Sequence, residues 1–338
     1  MKLFFKILLG GFVLCTTLLL IGACAGAWWA QQQFIKAGSF DTAVEFMVER
    51  GTNVDALSER LLYEGVLEGT VDMQIFRIGA RITEQASKIK AGEYEIPAHA
   101  SMQELLDLFE SGKVIQRQIT LREGLTSYEV LNLLSAHEGL QPSRIEPLSE
   151  GSVLPETYSY QKGDSVADIV RRMEVAMTKA IDELWEKRST DLPFDTKEEA
   201  LILASIIEKE TAVAAERKKV AGVFINRLRK GMLLQTDPTV IYALNMGKNE
   251  DNGKGPLGRR LLKKDLKVDS PYNTYLYAGL PPGPIANPGY ASIEAALNPE
   301  KHNYLYFVAD GSGGHAFGKS LAEHNRNVAK WRKIRKSQ

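Results

Sequence analysis

Two glutamates at the end of an apolar run are the first residues whose spacing could support acid–base chemistry. They stand in the stretch SIIEKET as Glu208 and Glu210. If this stretch is helical, with ~100° of rotation per residue, Ile206 and Ile207 share a face with Glu210. Glu208 then points the other way, where an ordinary helix residue would be solvated. The pattern therefore selects Glu210 as the carboxyl that faces apolar neighbours.

A carboxyl in such surroundings can become a proton donor. Burial disfavours the charged form, so we expect a raised pKa for Glu210 and a general-acid role near neutral pH. There are two alternatives for Glu210: it forms an ion pair with a basic residue, or it lies beyond the fraying end of the helix. A second acid candidate is Glu156 in LPETYSY, which is followed by the aromatic neighbours Tyr158 and Tyr160; ordinary surface charge is its alternative.

Polar groups suited to a ligand precede the next predicted helix, in LLQTDPTVIYAL. Asp237 and Pro238 indicate a helix start, with the aspartate as N-cap and the proline at the first helical position. Gln235 and Thr236 lie just outside that cap and offer donors and acceptors for sugar hydroxyls and N-acetyl groups. Capping alone would also explain Asp237.

Aromatic residues follow in SPYNTYLYAGLPPGPIANPG. Tyr275 and Tyr277 alternate with Thr274 and Leu276, which predicts a strand with one aromatic face. The Gly/Pro stretch behind them has little unfolded freedom to lose and predicts a stiff loop. Such a loop beside aromatic rings suits the floor of a sugar cleft. The simpler interpretation is a surface loop whose tyrosines pack into the core.

Signals for other chemistries are missing from the sequence. It contains no HExxH, no Walker loop and no GxSxG elbow. His315 and His324 are too far apart for a metal pair on one helix, and both cysteines, Cys15 and Cys24, lie in the N-terminal apolar segment. We therefore predict no metal, no cofactor and no disulfide in the rest of the chain.

That N-terminal segment is the strongest compositional signal. Two lysines precede an uncharged run, residues 7–30, long enough to cross ~30 Å of hydrocarbon as a helix. Trp28 and Trp29 suit the far interface and the lysines the cytoplasmic side. We predict a single-pass anchor in the cytoplasmic (inner) membrane, with the rest of the chain outside the cytoplasm. A cleaved signal peptide and a lipid-modified Cys24 are the alternatives.

Length and charge limit the classes of partner. The 338 residues suffice for two domains with a sizeable core. The 42 basic residues balance the 42 acidic ones, so there is no electrostatic case for a nucleic-acid partner. A neutral or zwitterionic polymer such as a glycan stays possible.

The elements that must position these residues form two halves. Stretches 48–67 and 120–140 each read as an extended piece, a glycine turn and an amphipathic helix. A strand, a turn and a helix capped by Ser101 lie between them, which predicts a compact α+β module. The Pro/Gly/Ser-rich stretch 139–152 marks a boundary.

The second half reads as mainly helical with a small β element. Helical patterns cover about 165–187 and 196–229. A β-hairpin with a glycine-rich turn is predicted within 304–317, and a basic helix within 319–334. The whole chain is thus assigned to the α+β class.

Four long stretches together carry a family resemblance. ASIIEKET, VFINRLRKGMLLQTDPTVIYAL, YNTYLYAGLPPGPIANPG and YLYFVADGSGGHAF…EHN resemble, in order, the motifs of the YceG-like (MltG) endolytic murein transglycosylases. The resemblance implies a transmembrane anchor (1–30), a stalk (31–42), a LysM-like glycan-binding region (43–150) and a catalytic transglycosylase domain (151–338). It also implies a lysozyme-like, mainly helical catalytic fold.

The same resemblance implies an activity. In that family one glutamate followed by Ser or Thr is the acid/base, and here it is Glu210, followed by Thr211. The implied reaction cleaves MurNAc–GlcNAc bonds of nascent peptidoglycan strands, leaves 1,6-anhydroMurNAc ends and terminates strand elongation. The implied partners are glycan strands, the membrane and penicillin-binding proteins or other wall synthases.

Further residues are candidates for holding the substrate. Those expected to contact sugars are, in this order, Gln235, Thr236, Asn273 and Tyr275. Glu156 is expected to orient a ligand or Glu210 itself. Two other functions stay open from the sequence: a non-catalytic glycan-binding scaffold for wall synthesis, and a hydrolytic muramidase.

Overall fold

The computed structural model describes residues 2–248 and 256–337, which fold as helices with short strands, as the α+β assignment predicts. Contacts divide the chain into two units, Met1–Arg117 and Gln118–Gln338. This division falls ahead of stretch 139–152, where the sequence suggested a boundary. The roles assigned to the separate domains stay predictions.

The first unit combines helices with an antiparallel strand pair. In chain order its elements are α1 (Lys2–Ile35), β1 (Val44–Val48), α2 (Val54–Tyr63), α3 (Thr70–Ile82), β2 (Gly92–Ile96) and α4 (Met102–Ser111). In the pair of β1 with β2, Phe46 lies opposite Tyr94. The predicted cap of α4 is confirmed: Ser101 and Glu104 exchange hydrogen bonds in a capping box.

The core of the first unit is built around aromatic rings. Phe46, Tyr94 and Phe109 are fully buried, and the last two meet edge to face at 5.1 Å between centroids. The Tyr94 hydroxyl donates to the Lys90 carbonyl at 2.8 Å, so its polar end is satisfied inside the core. Phe34, near the end of α1, packs into the same cluster.

Most of α1 lies outside that core. Its stretch Leu9–Ile35 is long and apolar enough to cross a membrane by length and composition, and none of its most apolar 18-residue segment is buried. A signal sequence would satisfy the same criterion. The helix continues through the first five residues of the predicted stalk.

From Arg117 onward the chain alternates helices with short strands. The elements are β3 (Arg117–Thr120), α5 (Ser127–Ser135), β4 (Thr157–Tyr160), α6 (Val166–Glu186), α7 (Lys197–Glu210), α8 (Arg217–Arg229), α9 (Asp237–Asn245), α10 (Tyr290–Leu297), β5 (Tyr306–Ala309), β6 (His315–Gly318) and α11 (Leu321–Ser337). β3 pairs with β4, and β5 with β6. The predicted helix at 165–187, the hairpin and the terminal helix are confirmed. The pattern at 196–229 is divided between α7 and α8, because Thr211 is extended (φ −141°, ψ 126°).

Helix α7 is the centre of the second unit. It packs against α6, α8, α9 and α10, and its residues 202–207 are all buried. Thr196 and Glu199 start it with a capping box. The buried Ser205 hydroxyl accepts a hydrogen bond from the Ile285 N–H at 3.0 Å. This bond ties the Gly/Pro stretch to the helix that ends at Glu210.

One prediction for the Tyr/Gly/Pro region is wrong. Residues 274–277 form turns instead of a strand, because the Asn273 side-chain and main-chain oxygens accept hydrogen bonds from the backbone that follows. Ile285, Ala286 and Asn287 of the Gly/Pro stretch are buried. The end of that stretch is therefore part of the core, whereas residues 278–280 and 282–284 are exposed or half-buried.

Candidate active site

A cavity of about 530 Å³ in the second unit contains most of the predicted site residues. The end of α7, helix α8, the segment before α9, the β5–β6 hairpin and the start of α11 all contribute to its walls. Its polar lining includes Glu210, Gln235, Thr236, Asp237, Tyr275 and His315. A larger cavity of about 680 Å³, beside residues 299–303, has none of the predicted site residues in its lining.

Glu210 is the last residue of α7 and lies partly buried in the cavity wall. Burial raises its pKa, and the negative charge of Asp237 acts in the same direction. A hydrogen bond from the Thr236 hydroxyl to Glu210 Oε1 and the charges of His315 and Arg227 oppose this rise without cancelling it. The net effect is the one that the helical phase predicts: a carboxyl that keeps its proton to a higher pH than a solvated glutamate.

Glu208 faces away from this cavity, as predicted, but it is not solvated. Its side chain is only 6% exposed and lies 3.5 Å from the Arg217 guanidinium. It also accepts the Gly289 N–H, at the start of α10, at 3.0 Å. The expectation of a solvated residue is wrong because α10 and the start of α8 cover this side of α7. Glu208 is therefore a buried, paired carboxylate that connects three helices.

The segment before α9 is held so that Thr236 faces Glu210. The N–H groups of Gln235 and Thr236 donate to the main-chain and side-chain oxygens of Thr274, at 3.0 and 3.1 Å. Gln235 has φ +49° and an exposed side chain in the cavity wall. The predicted N-cap is off by one residue: Thr236 is the N-cap, and Asp237 is the first helical residue. The Thr236 hydroxyl does not cap the helix, since it bonds to Glu210 instead.

Asp237 and Tyr275 form a second polar pair in the cavity. The Tyr275 hydroxyl donates to Asp237 Oδ1 at 2.6 Å. Burial first, and then this bond, raise the pKa of Tyr275, so that it stays protonated. The pair presents an oriented carboxylate and one aromatic face to a ligand.

Two of the predicted contact residues lie elsewhere. Asn273 is fully buried, and its amide donates to the carbonyls of Leu266 and Val268 at 3.1 and 2.8 Å. It therefore shapes the turn that carries Tyr275 and cannot reach a ligand directly. Glu156 is exposed where β4 begins and is not part of the cavity lining. Its main-chain oxygen accepts the Leu121 N–H at 3.1 Å.

Two residues that the sequence analysis did not select as site residues also line the cavity. Arg227 is buried and donates to the carbonyls of Leu234 and Leu305 at 2.7 Å each, which holds the hairpin beside the segment before α9. His315 of β6 is the second of these residues. From the sequence, only the presence of a histidine in the glycine-rich hairpin could be noted, because Leu305 lies 78 residues from Arg227, and Glu216, the partner of His315, lies 99 residues from it.

The arrangement suits proton transfer to a bound polyol. A carboxyl with a raised pKa lies among hydroxyl, amide, carboxylate and aromatic groups in an open cavity. Within residues 2–248 and 256–337, no group of three or more His, Cys, Asp or Glu side chains is placed to hold a metal ion. Fold and site together thus define a protein with a carboxyl of raised pKa at the end of a core helix, in the wall of an open cavity.

The sequence profile of the YceG-like family matches residues 46–330, and the chain belongs to this family. An endolytic murein transglycosylase of Bacillus subtilis (strain 168) is 45% identical over 183 residues, 54% of this chain and 48% of that protein. One of Streptococcus pneumoniae serotype 2 is 28% identical over 331 residues, 83% of this chain and 57% of that protein. The chain therefore spans about half the length of the curated relatives it matches. A crystal structure of a YceG-like protein from Listeria monocytogenes has 32% identity and a TM-score of 0.48, over 84% of this chain and 98% of that one.

Proposed function

We propose that this chain is a membrane-anchored lytic transglycosylase that cuts MurNAc–GlcNAc bonds within nascent peptidoglycan strands. The observation that carries the proposal is the position of Glu210 at the end of α7, in the wall of a cavity rich in sugar-compatible groups, where burial raises the pKa of its carboxyl. Membership of the YceG-like family and the names of the two bacterial relatives support the same reaction.

The reaction needs one acid that later acts as a base. Glycosidases that use water or a covalent intermediate normally need two carboxylates. Here the protonated Glu210 donates to the leaving glycosidic oxygen. The resulting carboxylate then takes the proton of the C6 hydroxyl of the same MurNAc, which closes on C1 to form the 1,6-anhydro ring. Intramolecular attack benefits from a high effective concentration.

The surrounding residues support both stages. Thr236 donates to Glu210 Oε1, which orients the carboxyl and stabilises it once it is ionised. Gln235 is exposed in the cavity wall and Tyr275 offers a ring face, so both are proposed sugar contacts. Asn273 is proposed only as support for Tyr275. Glu156 lies outside this cavity, and the proposal therefore gives it no role in orienting Glu210.

The finer assignments belong to the same proposal. Helix α1 anchors the chain in the cytoplasmic membrane, with the catalytic part on the outer side. Residues 43–150 act as a LysM-like glycan-binding region, and residues 151–338 as a lysozyme-like catalytic domain. Anchoring confines cleavage to strands that have just been made, so wall synthases such as penicillin-binding proteins are the proposed partners.

The test uses the full-length chain in detergent with uncrosslinked glycan strands and mass analysis of the products. Anhydro ends are the expected result. Reducing ends would instead show a hydrolytic muramidase. Asp237, a second carboxylate in the cavity, would then activate the attacking water. Intact strands would leave only a glycan-binding scaffold.

A further inference from the structure

Glu216 holds His315 at two points. Its Oε1 accepts the His315 main-chain N–H at 3.0 Å, and its Oε2 lies 2.7 Å from the ring Nδ1. Both side chains are largely buried, at 16% exposure for the histidine and 19% for the glutamate. A carboxylate only accepts hydrogen bonds, so Nδ1 carries the proton in this contact. The opposite ring nitrogen, Nε2, has no hydrogen bond within the described residues.

The local structure is built around this contact. Glu216 immediately precedes α8, and His315 begins β6. A Cβ at position 314 would lie 2.8 Å from Glu216 Oε1, so the glycine there permits the close approach. The Phe307 ring meets the imidazole edge to face at 5.3 Å between centroids. The ring is therefore restrained by the carboxylate on one side and by an aromatic ring on another.

The restrained imidazole lies in the cavity that contains Glu210. The ring lies within electrostatic reach of that carboxyl. In its neutral form, with the proton on Nδ1, the ring presents Nε2 as an acceptor. An acceptor without a partner on a cavity wall suits a ligand that brings hydroxyl donors.

We propose that His315 is a further substrate-contacting residue, whose Nε2 accepts a hydrogen bond from a saccharide hydroxyl in the cavity that contains Glu210. Glu216 is then its positioning residue. The saccharide as ligand class rests on the proposed function. The residue, the atom and its accepting role follow from the contacts of the pair.

The competing explanation is a purely structural pair that fastens the hairpin to α8. Two substitutions separate the explanations. In His315→Asn, the amide nitrogen can replace Nδ1 towards Glu216 but nothing replaces Nε2. In His315→Gln, the longer amide reaches the region of Nε2. A structural pair requires only the first contact, whereas a substrate contact requires the second.

The experiment measures kcat and KM for glycan cleavage by the full-length chain in detergent. We expect His315→Asn to lower kcat/KM roughly tenfold with an unchanged unfolding temperature, and His315→Gln to recover part of the loss. Glu216→Gln should lose less than Glu216→Ala, because its amide oxygen can still accept from the ring. The control is Glu186→Gln, at an exposed position at the end of α6 outside the cavity lining, which should behave as wild type.

A binding measurement separates this proposal from the proposed reaction. Full-length Glu210→Gln labelled with ¹⁵N-histidine is titrated with uncrosslinked glycan strands, and the Nε2 resonance that His315→Asn removes is followed. A shift of that resonance supports the contact even if the wild type cleaves nothing. Equal kinetics and equal binding for His315→Asn and wild type would overturn the inference while leaving the transglycosylase proposal standing. Absence of both binding and cleavage would overturn both.

Discussion

The two glutamates of α7 should respond in opposite ways to the same substitution. Glu210 lies in the cavity and Glu208 on the far side of the helix, against Arg217 and Gly289. Replacing each by glutamine removes one ionisable group and keeps the side-chain shape. We expect Glu210→Gln to destroy activity in a folded protein, and Glu208→Gln to weaken folding while the folded molecules stay active.

The loss of activity follows from the role of the acid. A positioned general acid or base contributes about 10²- to 10⁴-fold to the rate. Because Glu210 serves both proton transfers, we expect the upper part of this range, about 10³- to 10⁴-fold or roughly 4–5.5 kcal/mol. The glutamine oxygen can still accept from Thr236, so the wall of the cavity should keep its geometry.

The loss of stability follows from the buried ion pair. At 3.5 Å and an effective dielectric constant of about 20, the Glu208–Arg217 attraction is about 5 kcal/mol before desolvation. Neutralising Glu208 also removes its own desolvation cost, and Arg217 keeps Glu123 at 2.9 Å. The net destabilisation should therefore be roughly 1–3 kcal/mol. For a unit of about 220 residues this corresponds to a fall of roughly 2–12 °C in unfolding temperature.

The assay combines thermal unfolding with the rate of appearance of anhydro ends, normalised to the folded fraction. Wild type and both variants are compared as full-length chains in the same detergent. An active Glu210→Gln together with a folded but inactive Glu208→Gln would refute the assignment of the acid. A stable Glu208→Gln would refute the reasoning about the ion pair.

Three more outcomes can be checked on the same protein. Because burial raises the pKa of Glu210 above its ordinary 4.5, its favourable contribution to stability exists below that value and is lost as the pH rises through the folded-state pKa. Glu210→Gln should accordingly raise the unfolding temperature at pH 8 and leave it nearly unchanged at pH 4; parallel curves would contradict the burial. Tyr275→Phe removes the 2.6 Å bond to Asp237 and should lower kcat/KM roughly tenfold, whereas wild-type kinetics would exclude a role for the oriented carboxylate. Gly222→Ala places a Cβ against the Glu300 carbonyl oxygen and should cost about 1–3 kcal/mol in urea unfolding, and an unchanged midpoint would mean that this contact relaxes freely.

Local signals in the sequence predicted much of the architecture. Three of these signals are encoded within a few residues each: the apolar periodicity of α6, the capping box at Ser101 and the glycine-rich turn between β5 and β6. The face of Glu210 was predictable for the same reason, since helical phase depends only on neighbours three and four positions away. The errors also have local causes: Asn273 starts a turn with its side chain and overrides the alternation that suggested a strand.

By itself, then, the sequence determined the α+β elements, the apolar N-terminal helix and the direction of Glu210. Only the tertiary structure decided what each carboxyl meets. Glu216 contacts His315, which is 99 residues away in the sequence. Glu208 is buried and paired with Arg217, although the sequence predicted a solvated position. The periodicity of apolar residues indicates which side of a helix faces inward. The residue that a side chain contacts there depends on how distant segments of the chain pack. The neighbouring residues in a single sequence do not encode that packing.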